Sequence, residues 1–269
     1  MYRQRFGLSG HPFPQDACGR TFSPPPDFER LARRFQMLAR EPGLGVLTGD
    51  AGLGKTTVMR HLCAQLPKPD YHVLYLCDTQ TSPLDFYRQL AQDLGLTPSH
   101  RRAQLWHDIK RAVVDLVDEQ NTHPVVVVDE AQHLSDRFLA DLSGFLNFAF
   151  DSRNLLVFWL VGQPALRARL KMKQHAALAS RVAVRVHLEP LADRQAFLGF
   201  LEAGLKAAGA KSSFVSEPAA ELLFRASGGQ PRLLARLLQE ALRLADERDK
   251  NFVDDTLLEA VLDDQQGWS

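Results

Sequence analysis

Cysteine is scarce in this 269-residue chain, with only Cys18, Cys63 and Cys77 present. So few, so far apart, exclude a disulfide framework and a zinc site. All three are expected to be reduced, with Cys63 and Cys77 as small core residues. The nine histidines show no H-E-x-x-H or other paired spacing, which argues against a histidine-held catalytic metal. Net charge is also absent, 32 basic residues balancing 32 acidic ones, so no global field draws the chain to nucleic acid. No run is long and apolar enough to span a membrane, and Met1-Tyr2-Arg3-Gln4-Arg5-Phe6 lacks the apolar stretch of a signal peptide. A cytoplasmic protein without its own membrane anchor is therefore expected. What remains is an ordinary globular composition, 45% hydrophobic and 24% charged, without internal repeats.

Against that background one stretch carries chemistry. Gly49-Asp50-Ala51-Gly52-Leu53-Gly54-Lys55-Thr56 matches G-x-x-x-x-G-K-[ST] at every required position. A short buried strand, Gly45 to Thr48, precedes it, and a helical pattern from Thr56 to Leu66 follows. The glycines let backbone N–H groups curl around phosphate oxygens, and the helix adds the positive end of its dipole. Lys55 is placed to reach the outer phosphates and Thr56 to ligate Mg²⁺. Gly49, Asp50, Ala51, Gly52, Leu53, Gly54, Lys55, Thr56 and Thr57 are the expected nucleotide-binding residues. The bland alternative is a glycine-rich turn with no ligand.

The rest of the chain reads as alternation. Residues 1–42 form a packed lead-in, an extended Ser23-Pro24-Pro25-Pro26-Asp27 segment and a helix from Phe28 to Arg40. Strands are expected at Val73–Cys77, Pro124–Val128, Leu155–Val161 and Val184–Leu188, the middle two apolar enough to be buried on both faces. Helices are expected at Leu84–Leu94, Arg102–Asp118, Asp136–Phe148 and Pro164–Arg181. With the loop strand, this predicts an α/β fold of five parallel strands covered by helices on both sides, over residues 43–191. From residue 192 to 269 only helical periodicity remains (Phe197–Ala208, Glu217–Ala226, Arg232–Glu247, Asp254–Leu262), which predicts a small all-helical lid.

The β-branched run ends in Asp129-Glu130. Ligands of open parallel sheets collect at that edge, so Asp129 is expected to hold Mg²⁺, and Glu130 to polarise the water attacking the γ-phosphate. Alone, the pair could equally be a solvated turn; with the loop at Gly49–Thr56 it completes a nucleotide-hydrolysing set.

These motifs, together with Phe6-Gly7-Leu8, Val128-Asp129-Glu130-Ala131-Gln132, Val161-Gly162-Gln163-Pro164 and Gly228-Gly229-Gln230-Pro231-Arg232-Leu233-Leu234, make the chain resemble an AAA+ ATPase of the compact ExeA-type group. The resemblance runs nearly the whole length and implies a P-loop NTPase fold using ATP and Mg²⁺. It implies that Gln163 occupies the sensor-1 position, placing the attacking water, although many relatives carry Asn or Thr there. Arg232 matches the sensor-2 arginine, whose forked guanidinium suits a phosphate. Arg181 matches the arginine finger that one subunit inserts into its neighbour's site, with Arg185 as the rival. A finger in trans implies an oligomer, as a ring or a helical filament.

Two roles fit. One resembles the MuB and TnsC-type (TniB-like) regulators, which assemble on double-stranded DNA and direct a transposase. The other resembles ExeA secretion ATPases of cell-envelope assembly. Those normally carry a membrane span and an envelope-side domain after the ATPase core, whereas this sequence ends at Trp268-Ser269, so the free-standing DNA-associated regulator is favoured. Between Asp151 and Glu189 there is no acidic residue. Two basic stripes could line a DNA channel, Arg101, Arg102, Lys110 and Arg111, and Arg167, Arg169, Lys171 and Lys173; each could also be a solvated helix face. No base-reading motif is present, so sequence-independent binding is expected. A non-hydrolysing nucleotide scaffold is disfavoured by the presence of Lys55 and Glu130.

Overall fold

A computed structural model describes residues 2–266 apart from Pro26 and Thr81. One residue of the proline-rich segment and the Trp268-Ser269 terminus thus lie outside the described residues. The chain divides into two compact units, one made of residues 29–50 and 62–188, the other of residues 1–28, 51–61 and 189–269.

The first unit is built on five parallel strands, β1 (Leu44–Gly49), β2 (Tyr71–Leu76), β3 (His123–Val128), β4 (Val157–Gly162) and β5 (Val182–Leu188), in the order β2-β3-β4-β1-β5. Strands β1 and β4 are buried at every position, β4 as an apolar run and β1 with one buried polar residue, Thr48, whose hydroxyl meets His187 Nδ1 at 3.0 Å. Val126, Val128, Phe158 and Leu160 point into one apolar cluster. The alternating Val125, Val127 and Trp159 are buried on the other face, where Phe35 of α2 (Phe28–Arg40) stacks on Trp159 with ring centroids 5.7 Å apart. The first cluster is closed by α4 (Pro83–Asp93), α5 (Arg102–Asp118) and α6 (Asp136–Phe145). The predicted five-stranded parallel sheet with flanking helices is the one observed.

Two local expectations fail for physical reasons. The stretch expected as one helix over Pro164–Arg181 breaks into α7 (Pro164–Leu170) and α8 (Ala176–Ser180). The interruption follows from His175, which is buried and bonded through Nε2 to Asp136, 3.1 Å away. That tertiary anchor overrides an uninterrupted helical pattern. Cys77, expected in the core, is exposed. It follows β2, an edge strand in which Val73 and Tyr75 also face outward, so period-2 alternation puts Cys77 outside. Cys63 is largely buried, which pushes its thiol up to about 12.

The second unit is helical. It contains α1 (Tyr2–Arg5), the first part of α3 (Lys55–Ala64), α9 (Arg194–Ala207), α10 (Glu217–Ser227), α11 (Pro231–Glu247) and α12 (Asp255–Gln266). Tyr2, Phe6 and Leu8 share one apolar cluster with the C-terminal helices, and Arg5 pairs with Asp246 at 3.0 Å. The Phe22 ring stacks on His61 at 3.9 Å, and Arg60 donates to the Gln15 carbonyl at 2.7 Å, so the lead-in also packs against the start of α3. Among the described residues no helix is long and apolar enough to cross a membrane.

Candidate functional site

The glycine loop leaves β1 and enters α3 through two left-handed residues, Gly52 (φ +84°) and Gly54 (φ +81°). Gly54 O accepts from Val58 N at 2.9 Å, starting the helix. Gly52 is additionally required by close approach. Its carbonyl accepts from Arg232 N at 3.1 Å, and a Cβ there would lie 3.1 Å from the Arg232 Cβ. The expected sensor arginine, at the second position of α11, therefore sits directly against the loop. Lys55 is buried at the head of α3.

In the sheet unit, Asp129 and Glu130 leave the end of β3, next to the end of β4, whose following residue is Gln163. Asp129 is buried. Its Oδ1 accepts from Glu130 N at 2.9 Å and its Oδ2 from the Tyr75 hydroxyl at 3.0 Å. Glu130 is exposed and adopts the left-handed region (φ +50°, ψ +34°). Its carbonyl accepts from the Thr79 hydroxyl at 3.0 Å. Its Oε2 accepts from Gln132 Nε2 at 2.6 Å, while Gln132 Oε1 accepts from Gln163 N at 2.9 Å. Gln163 thus meets this network through its backbone. The side-chain amide on Glu130 comes from Gln132.

Arg181 forms a two-pronged ion pair with Asp151, its Nη2 lying 2.8 Å from Oδ2 and its Nη1 meeting Oδ1. That pair holds the Asp151 carboxyl below its usual range. The rival Arg185 is exposed and donates to the Ala179 carbonyl at 2.6 Å.

The two basic stripes differ in how much of their charge is spent. On α5, Arg102 pairs with Asp141 at 2.8 Å, and Lys110 donates to the Asn147 carbonyl at 2.7 Å. Burial lowers the Lys110 pKa. Arg111 lies 3.9 Å from Asp115. Trp106, within this stripe, is partly buried and packs edge-on against Tyr87 and Phe145 at the margin of the core. Arg101 is exposed. On α7 and the segment after it, Arg167, Lys171 and Lys173 are exposed and, with Arg185, rim a cavity of about 710 Å³ floored by Val46, Leu170 and Val186. Arg169 is committed elsewhere. Its Nη1 donates to the carbonyls of Gln132 (2.9 Å) and Leu134 (2.6 Å), and its Nη2 meets Asp136.

Mg²⁺ takes oxygen donors, few of them from protein, with substrate phosphates completing its shell. Within the sheet unit, the buried Asp129 carboxylate is an oxygen donor of that kind; within the helical unit, so is the Thr56 hydroxyl. No cluster of three or more His, Cys, Asp or Glu able to hold a metal occurs among the described residues.

Residues 38–170 match the family model for an AAA domain (AAA_22). The strand order, the glycine loop after β1 and the acidic pair after β3 agree with that match. The fold is that of an AAA+ P-loop NTPase. Solved AAA+-type structures share it. Cdc6p from Pyrobaculum aerophilum superposes with TM-score 0.67 at 16% identity, over 86% of this chain and 66% of that one. The Aeropyrum pernix ORC1 protein in complex with DNA gives 0.68 at 15% identity, over 97% and 69%. At such identities the likeness is one of fold. In sequence, the chain is 33% identical to general secretion pathway protein A of Aeromonas hydrophila across 94% of its own length, and spans 46% of that relative.

Sequence reasoning missed Tyr75, Thr79 and Gln132. Gln132 had a signal, its place in Asp129-Glu130-Ala131-Gln132; the other two lie 54 and 51 residues from their partners and had none.

Proposed function

We propose that the chain binds ATP with Mg²⁺ and hydrolyses it, and that the nucleotide state governs self-assembly into a ring or helical filament. The observation that carries this reading is that, in one parallel sheet, β1 runs into the glycine loop and β3 ends in the acidic pair Asp129-Glu130. Lys55 and the loop amides hold the phosphates, and Arg232 reads the outermost one from α11. Mg²⁺ on Thr56 and Asp129 would neutralise charge building up on the transferred phosphoryl group. Glu130 accepts a proton from the attacking water. Arg181, released from Asp151, supplies positive charge to a neighbouring subunit's site.

Two destinations for this work are supported by separate observations. The exposed cations Arg101, Arg167, Lys171 and Lys173 favour assembly on double-stranded DNA without sequence preference, as in a transposase regulator. The 33% identity to general secretion pathway protein A favours a secretion or envelope-assembly role. Electron microscopy of the Glu130→Gln protein with ATP, with and without duplex DNA, separates them. DNA-dependent rings or filaments support the first, and assembly indifferent to DNA supports the second. Mixing Lys55→Ala with Arg181→Ala protein tests the shared site. Each alone is expected to be inactive and the mixture partly active; no recovery sinks the trans assignment.

A further inference from the structure

We propose that Gln132 is the positioning residue of the hydrolytic step, orienting the Glu130 carboxylate and tethering it to the end of β4. This rests on the reading of Glu130 as the group that activates water. A glutamate on an exposed turn has three rotatable bonds, and a base that wanders is a poor one, because geometry must be right before basicity matters. Gln132 removes that freedom. Its Nε2 donates to Glu130 Oε2 at 2.6 Å, a short charge-assisted bond. That contact leaves the other carboxylate oxygen to receive a proton from water.

The amide's own orientation is fixed. Its Oε1 accepts from Gln163 N at 2.9 Å, a backbone donor that can meet only the oxygen end, so the nitrogen end must face Glu130. The stretch beneath is pinned as well, since Arg169 holds the carbonyls of Gln132 and Leu134. Space for the amide is made by Gly162. A Cβ there would lie 2.7 Å from Gln132 Oε1 and 3.2 Å from Gln132 N, so a side chain at that position evicts the carboxamide, which is flexible, more readily than it disturbs the strand. The arrangement joins the two neighbouring strand ends, β3 with its acid pair and β4 with Gln163, through one side chain.

Three variants test this, each assayed for kcat and for the affinity of a fluorescent ATP analogue, with the thermal midpoint as a check on folding. Gln132→Ala is expected to lower kcat tenfold or more with analogue affinity within twofold of wild type, and Gly162→Ala to reproduce that pattern through displacement of the amide. Gln132→Glu keeps an acceptor for Gln163 N but has no donor for Glu130. The added like charge beside Glu130 is expected to lower the variant's thermal midpoint somewhat, and to leave it at least as slow as Gln132→Ala. Wild-type turnover in Gln132→Glu would mean the residue only ties the loop to β4, and would overturn the inference, as would unchanged kcat in Gln132→Ala. Glu130→Gln, run alongside, separates the two levels. If it still turns over, the reading of Glu130 fails. If it is inactive while Gln132→Ala is normal, only the role of Gln132 fails.

Discussion

The loop after β1 and the loop after β3 both leave a buried strand through left-handed backbone, the first at Gly52 and Gly54, the second at Glu130. Glycine adopts that conformation at no steric cost. For a glutamate it costs about 1 kcal/mol or more, and the surrounding contacts show how it is offset. Thr79 holds the Glu130 carbonyl, Asp129 its N–H and Gln132 its carboxylate. A loop that must wrap a ligand uses residues without side chains to obstruct the approach. A loop that must aim one side chain cannot do so, and is braced from three directions instead. On the proposed function, the first serves access and the second direction.

The sharpest way to break this contrast is to remove one function from each loop. Lys55→Ala is expected to abolish measurable ATP binding. Glu130→Gln is expected to bind ATP normally and to lose roughly a thousandfold in kcat. If Glu130→Gln loses affinity instead, the division of labour is wrong. A smaller effect is expected from Gly52→Ala, which forces an alanine to a φ suited to glycine and brings its Cβ to 3.1 Å from Arg232. A penalty of about 1–2 kcal/mol corresponds to roughly five- to thirtyfold weaker nucleotide binding, measurable by titration, with kcat at saturation less affected. The smallest effect belongs to the bracing. Thr79→Val removes one hydrogen bond worth about 1 kcal/mol, so kcat is expected to fall about fivefold with affinity unchanged. An affinity loss there would place Thr79 with the access loop.

The contrast also explains what could be read from the sequence. The glycine loop is legible because its chemistry is local. Gly52, Gly54, Lys55 and Thr56 stand within a few residues of one another, and the spacing itself is the signal. The strands were equally plain, since Val125–Val128 and Val157–Val161 are apolar on both faces and only a covered sheet accommodates that. Asp129 and Glu130 are legible as an acidic pair at a strand end and Gln132 as part of the same short motif, but the contacts that hold them are not. Thr79 and Tyr75 reach β3 from the neighbouring strand's end, and Gln132 acts through Gln163, 31 residues away. The same long-range logic broke the helix expected over Pro164–Arg181 at His175, and the edge position of β2 turned Cys77 outward.

Arg169 stands in the basic stripe proposed as a DNA track, yet its guanidinium is occupied by the carbonyls of Gln132 and Leu134 and by Asp136. A phosphate can claim that guanidinium only by competing with the segment it secures. Polyanion contact at α7 and a stiff β3 loop are therefore thermodynamic rivals. By reciprocity, whatever favours the secured loop disfavours an anion at Arg169 by the same factor. One arginine would thus set the proposed DNA contact against the proposed hydrolytic loop.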